Sequence, residues 1–176
     1  YFGDNDTANG GNLHLLYHGG FNRFRFHYGS NNNNLRLQTA NNSVANSTWY
    51  HVIITYNGGT TGSSSGSMST YYGRFKIYIN GVLQSTTNTN SNFGYSASID
   101  ADNFRFGRYA SGNYMRGANL DEVNIWDSDQ SANIADIYNG GVVFDTMTLS
   151  DQPKHRWRFE DSYPNQLDTG TAANCV

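Results

Sequence analysis

The chain is short of the residues that several common functions require. Its one cysteine, Cys175, sits near the end, so no internal disulfide can form and no cysteine-based metal centre can assemble. The lone thiol leaves the redox compartment open. Proline occurs only twice in 176 residues. Charged residues make up 14% of the chain, and the net charge of -3 argues against nucleic acid as the main partner. No apolar run is long enough to cross a membrane, and no signal peptide is visible. The chain begins at Tyr1 rather than methionine and reads as a piece of a longer polypeptide, so missing targeting signals carry little weight. Glutamate is the scarcest acid, with only Glu122 and Glu160.

Aromatic residues, glycine and asparagine are plentiful instead. Aromatics reach 15% and glycine 19 positions. Aromatic strands joined by Gly/Asn turns describe an all-β protein. The length suits one domain with a sizeable core. Apolar alternation over Trp49, Val52, Ile54 and Tyr56, then over Phe75, Ile77 and Ile79, predicts two half-buried antiparallel strands, Trp49 to Tyr56 and Arg74 to Ile79. Asn80-Gly81 supplies the positive φ angles of a two-residue hairpin turn.

Further strands are expected at Leu13 to Tyr17, Phe21 to Tyr28, Leu35 to Thr39, Phe104 to Arg108, Leu120 to Trp126 and His155 to Phe159. Gly19-Gly20 separates the first two as a hairpin turn, and Asn31-Asn32-Asn33-Asn34 is a polar turn. Gly58 to Ser69 reads as a flexible Gly/Ser/Thr excursion, and Asn88 to Ser96 as a loop. A short helix spans Ser131 to Tyr138, capped by Ser128 or Asp129 and stopped by Gly140. In Arg23-Phe24-Arg25-Phe26 and Arg156-Trp157-Arg158-Phe159, charges alternate with aromatics. Such alternation puts the charge outward and the ring inward. A basic platform for single-stranded nucleic acid would want a positive net charge.

These segments resemble the laminin-G/pentraxin-like group of the concanavalin A-like superfamily. That group shows a tryptophan strand ending in Tyr-Asp/Asn-Gly and a strand ending in Tyr-hydrophobic-Asn-Gly. Phe104-Arg105-Phe106-Gly107-Arg108 resembles its hydrophobic-Gly strand, and Leu120-Asp121-Glu122-Val123-Asn124-Ile125-Trp126 its Asp-Glu-Val segment. The resemblance covers roughly Trp49 to Gly141. It implies an all-β antiparallel β-sandwich (jelly roll) with one short helix near the C-terminal end. The expected organisation is a laminin-G-like domain over residues 1–145, then residues 146–176 as a linker and closing strand or the start of a following segment. His155 to Ser162 with Asp168-Thr169-Gly170 resembles a stretch that opens or closes such jelly rolls. The superfamily hosts lectins, adhesion modules, glycosidases and structural domains, so function must come from sites.

Catalysis finds little support in the residues. A retaining glycosidase needs two carboxylates about 5 Å apart. Glu122 and Glu160 lie in different segments, and the adjacent Asp121 and Glu122 point to opposite faces of a strand. Asp121 is expected to bond a neighbouring loop or backbone amide. The histidines are scattered, no serine sits in a nucleophile elbow, and His51 is expected to pack. Relatives of this fold often carry calcium, which takes hard oxygen ligands. Asp4-Asn5-Asp6 and Asp100, Asp102 and Asn103 offer closely spaced oxygens, and Asx-turns favour the same residues.

Sugar binding needs flat rings for sugar faces and amides, carboxylates or guanidinium groups for hydroxyls. Tyr71, Tyr72, Tyr95, Tyr109, Asn113, Tyr114 and Arg116 lie in expected loops and offer these groups, or else they pack on neighbouring chains. The sequence therefore predicts a noncatalytic module that recognises a glycan or glycoprotein surface. The rival is a structural interaction domain of a virus-like particle, tail fibre or surface assembly, contacting neighbouring copies or other subunits. Both imply an extracellular, cell-surface or virion-surface setting without membrane insertion. Asn5, Asn41 and Asn46 head Asn-x-Ser/Thr sequons, which matter only in a eukaryotic secretory host.

Overall fold

The predicted alternation becomes real strand pairing. A computed structural model describes residues 2–6, 11–30, 33–57, 74–88, 105–107, 117–160 and 169–171. Two compact units emerge, Tyr1–Arg116 and Gly117–Val176. In chain order the first holds β1 (Phe2–Asp6), β2 (Gly11–His18), β3 (Arg23–Ser30), β4 (Asn33–Thr39), β5 (Val52–Tyr56), β6 (Phe75–Ile79), β7 (Val82–Leu83), β8 (Thr86–Asn88) and β9 (Arg105–Phe106). All pairings are antiparallel. One sheet has the order β8-β4-β3-β2-β1-β9, the other β5-β6-β7. The result is the expected antiparallel sandwich, with a short helix near the C-terminal end.

Period-2 alternation decides which face is buried. Phe26, Leu35 and Leu37 from the larger sheet meet Phe75 and Ile77 from the smaller one, and these five form the core. Leu13, Leu15 and Tyr28 extend it on one side, and Val52, Ile54 and Tyr56 on the other. Leu35, Leu37 and Ile77 are fully buried. Each such side chain contributes about 1.5–3 kcal/mol relative to leaving it in water. The rings meet at tilted or offset angles, with Phe26 and Phe75 centroids 5.3 Å apart and Tyr28 and Phe75 4.9 Å apart.

The Asn80-Gly81 turn forms as read. Asn80 has φ 49° and Gly81 φ 75°, and the turn joins Ile79 to its partner Val82. Asn80 also ends the neighbouring ladder. Its Oδ1 accepts from the His51 amide at 2.9 Å, and its own amide donates to the His51 carbonyl at 2.9 Å. β5 therefore starts at Val52, not at Trp49. Trp49 falls in the preceding loop and is 64% exposed, which corrects its expected place in the strand.

The second unit holds β10 (Val123–Ile125), α1 (Ile134–Tyr138) and β11 (His155–Trp157). Val123 pairs with Trp157 and Ile125 with His155. The strand ends before Trp126, whose indole N–H donates to the Asp151 carbonyl at 3.0 Å. The helix buries Ile134 and Ile137, and Asn139 ends it at φ 46°, one residue before Gly140. Asp129 caps the turn ahead of it, accepting from the Ser131 amide at 3.0 Å, while Asn133 occupies the N-cap. Gly170 is required where it stands, because a Cβ there would lie 2.3 Å from the Lys154 carbonyl oxygen. Thr169 donates to the Arg156 carbonyl at 2.8 Å, so the Thr169-Gly170 part of the tail motif runs along β11.

Arg156 is the buried cation of this unit. Its Nη1 lies 2.6 Å from Asp145 Oδ1 and its Nη2 3.4 Å from Glu122 Oε2. Removing one partner of a buried ion pair costs roughly 3–5 kcal/mol. Glu122 and Asp145 keep some solvent, so Arg156→Met should fall toward the low end. Leu37→Ala should cost about 2–5 kcal/mol, whereas exposed Leu83→Ala should stay within about 0.5 kcal/mol of the parent. Urea midpoints check all three values.

Candidate functional site

The turn between β2 and β3 is built from Gly19, Gly20 and Phe21, a single 3-10 turn closed by Asn22 at φ 47°. Asparagine tolerates the left-handed region better than most residues, which suits it to this corner. The loop between β4 and β5 comes up beside the turn. The Asn42 amide donates to the Phe21 carbonyl at 2.9 Å, and the Val44 amide to the Asn22 carbonyl at 3.2 Å. Val44 is buried and anchors the loop. Thr39 Oγ1 lies 2.6 Å from Ser43 Oγ, and the Ala45 amide donates to the Tyr50 hydroxyl at 2.8 Å. Turn and loop thus form one ordered surface at the end of the larger sheet.

Its chemistry is rings and amides. Tyr17 is 42% exposed, Phe21 44%, and Trp49 rises from the same loop. The Tyr17 hydroxyl lies 2.7 Å from Asn22 Oδ1 and 2.9 Å from Asn46 Oδ1. A phenol has one hydrogen, so it donates to one amide while the other must turn its NH2 toward the phenol oxygen. Asn22 Nδ2 reaches Asn42 Oδ1 at 3.5 Å. Arg23 Nη1 donates to Asn41 Oδ1 at 2.8 Å, and the guanidinium sits 4.4 Å from the Phe21 ring centroid. The Phe24 ring lies edge-on to Tyr17 and to Tyr50. Four asparagines, two rings and an arginine are therefore held in place before any ligand arrives.

The same strands carry a second, polar face. His18 stands opposite Arg23, Leu16 opposite Arg25, and His14 opposite His27, with Gln38 and Arg36 next on β4. Arg25 Nε and Nη2 both donate to Gln38 Oε1, at 3.2 and 3.1 Å. The His14 and His27 rings stack at 4.3 Å. The arginines do alternate with core aromatics, yet His14, His27 and Gln38 on their face are themselves buried. Burial, His14 and the nearby arginines push His27 down to about 2. Burial, then Arg25 and Arg23, hold His18 below its ordinary value, and burial alone does so for His51.

Every ligand-binding residue predicted from the sequence, Tyr71, Tyr72, Tyr95, Tyr109, Asn113, Tyr114 and Arg116, lies outside the described residues, as do Asp100, Asp102 and Asn103. Asp4, Asn5 and Asp6 lie on β1, with side chains outside the description. Among the described residues no group of three or more His, Cys, Asp or Glu is placed to hold a metal ion. Asp121 meets its expectation, accepting from the Glu122 amide at 3.0 Å. The two glutamates, far apart in sequence, converge on one guanidinium: Arg158 Nε lies 2.9 Å from Glu122 Oε1, and Nη2 lies 2.7 Å from Glu160 Oε1. The arginine takes the oxygens that a glycosidase pair would turn toward a sugar. The turn surface itself was missed, because Phe21 reads as the first residue of a strand. A ring directly after Gly19-Gly20, and the Asn-rich 41–46 stretch after β4, were the available signals.

Compared with known proteins, residues 1–134 match a laminin G family model described as the concanavalin A-like lectin/glucanases superfamily. No curated protein and no solved structure matches the chain.

The three histidines with lowered values, His18, His27 and His51, set an acid limit. Their folded values are lowered below the ordinary 6.5, so the unfolded chain takes up protons first. Stability is then complete above about pH 6.5 and falls as pH drops below it, with a slope of up to about 1.4 kcal/mol per pH unit from His27 alone. Asp145 and Asp151, held low by hydrogen bonds from the Met147 amide and the Ser128 hydroxyl, add losses only below the usual 3.8. Urea midpoints at pH 7.5 and 5.0 should differ clearly for the parent and less for His27→Gln. Equal midpoints for the parent would refute the buried neutral histidine.

Proposed function

The chain belongs to the concanavalin A-like lectin/glucanases superfamily, and from that premise we propose that it is a noncatalytic recognition module whose ligand is a glycan or cell-surface glycoconjugate. Laminin G-like domains are typically noncatalytic binding modules. The observation that carries the glycan reading is the surface at the β2–β3 turn. Exposed Tyr17, Phe21 and Trp49 offer ring faces, and Asn22, Asn41, Asn42 and Asn46 offer amides. Sugar recognition draws on this pairing of apolar ring and neutral hydrogen-bonding group. The surface costs little to order on binding, because backbone bonds already tie the turn to the loop.

The proposal carries a setting with it: such ligands are displayed outside cells, so the module works in extracellular space, on a cell surface or on a virion. Catalysis is not part of it. Glu122 and Glu160 are both engaged with Arg158. A second reading, contact with protein subunits of an assembly, is supported by the adjacent exposed Val142 and Val143 of the second unit.

A glycan array probed with the chain, in calcium and again in chelator, tests the proposal. Specific binding is expected, with Trp49→Ala and Phe21→Ala each weakening it about tenfold, the effect of roughly 1.4 kcal/mol. Loss in chelator would assign calcium to the Asp100, Asp102 and Asn103 cluster or to Asp4 and Asp6. No binding in either buffer, together with a stable assembly of copies, would favour the protein-contact reading.

A further inference from the structure

The asparagine amides at the turn surface are held by two side chains that restrict which way each amide turns. A guanidinium only donates, so Arg23 Nη1, 2.8 Å from Asn41 Oδ1, fixes the direction of that amide. The Asn41 NH2 group, on an exposed residue, is left for a ligand. The Tyr17 hydroxyl meets two amides, Asn22 and Asn46, with one hydrogen to give. Two wirings satisfy it. In one, the hydrogen goes to Asn22 and Asn46 donates to the phenol oxygen. In the other, both roles reverse.

The bond lengths choose between them. O–H···O bonds centre at about 2.7–2.8 Å and N–H···O bonds at about 2.9–3.0 Å. Tyr17 lies 2.7 Å from Asn22 and 2.9 Å from Asn46. The phenol hydrogen therefore goes to Asn22 Oδ1, and Asn46 turns its NH2 to the phenol. Asn22 then faces Asn42 with its own NH2, and Nδ2 reaches Asn42 Oδ1 at 3.5 Å. The bonds run in one sense, from Asn46 to Tyr17 to Asn22 to Asn42, and each polarises the next. Asn42, at the end of the chain, presents its NH2, as Asn41 does next to it. Asn46, at the start, presents its carbonyl. All three residues are exposed.

We infer that the Tyr17 hydroxyl is a positioning residue that sets the polarity of this surface, and that the NH2 donors held at Asn41 and Asn42 select a neutral sugar bearing an acetamido group. The inference rests on the recognition reading above and narrows its ligand. Two donors on neighbouring residues favour an acceptor that brings no hydrogen of its own. A sugar hydroxyl brings one and rotates to suit either wiring, so it does not read the polarity. An acetamido carbonyl brings two lone pairs and no hydrogen. Its methyl group suits the exposed Phe21 ring, whose backbone carbonyl is bonded to the Asn42 amide.

Calorimetric titration of the full chain with chitotriose and cellotriose tests this, because the two sugars differ only in acetamido for hydroxyl. Chitotriose is expected to bind about five- to tenfold more tightly. Asn42→Asp swaps the outward NH2 for an oxygen of similar size, and Tyr17→Phe lets the amides turn independently. Each should remove most of that preference, while Lys154→Gln in the second unit should change nothing. Thermal unfolding confirms that the variants fold, and Tyr17→Phe keeps the ring that meets Phe24. Side-chain proton exchange, followed by nuclear magnetic resonance, reads the wiring with no sugar present. The Asn46 NH2 should be protected in the parent and lose protection in Tyr17→Phe. Protection at Asn42 with free exchange at Asn46 reveals the opposite wiring and overturns the inference. Equal affinity for the two trisaccharides, no binding of either, or a preference that survives both Asn42→Asp and Tyr17→Phe also overturns it. Each of these leaves the recognition module standing when the glycan array still shows binding. Absence of binding to both trisaccharides and to the array removes the recognition reading as well.

Discussion

The Phe75 ring is what the first unit closes around. It lies 5.3 Å from Phe26, 4.9 Å from Tyr28 and 4.6 Å from Tyr56, so three rings from two strands, one in each sheet, meet on it. Once that contact is made, alternation leaves no freedom. Leu35, Leu37 and Ile77 must also face inward, and Arg23, Arg25 and His27 must lie on the other side of the larger sheet. The character of the polar face is thus a by-product of the core. Its cations sit side by side because the strands that carry them are held in register by apolar residues one position away. The aromatic surface at the turn follows from the same register, since β2 and β3 run out together at His18 and Arg23.

The second unit solves a different problem. Arg156 is buried, and a buried guanidinium needs carboxylates and hydrogen bonds to offset its lost hydration. Glu122 and Asp145 supply them, with Glu122 held at φ 47°, a conformation that side chains other than Gly, Asn and Asp seldom adopt. Strain of that kind persists only where the surroundings over-determine it. Here the surroundings are Arg156 and Arg158, two residues apart on and just after β11, which bond its carboxylate. In a chain with two glutamates, this arrangement engages both in holding arginine.

Much of the fold was legible because it depends on short-range signals. Alternation at Val52, Ile54 and Tyr56 marks the inward face of β5, and Asn80-Gly81 marks a turn that only residues tolerant of positive φ can make. Asp121 was expected to bond a loop or backbone amide and does so, although it stands ahead of β10 and not within the strand expected from Leu120. The errors come from pairings that spacing does not encode. Trp49 belongs to the apolar pattern, yet the ladder stops at His51 because a side chain 29 residues away takes its amide. Glu122 and Glu160 look unrelated until Arg158 joins them. Phe21 looks like strand until Asn42 bonds its carbonyl from the next loop. The tyrosine-rich loops singled out for sugar binding lie outside the described residues. The same logic of ring beside amide, applied to described residues, leads instead to the β2–β3 turn.

The account stands on the claim that this turn and its neighbouring loop are where a glycan sits. Its most direct test is nuclear magnetic resonance of the side-chain amides of Asn22, Asn41, Asn42 and Asn46 while an array-selected glycan is added. The account predicts that these resonances move together and saturate with the indole signal of Trp49. Resonances that stay still while signals from Tyr71, Tyr72, Tyr95 or Tyr109 move would contradict it and return the binding site to those loops.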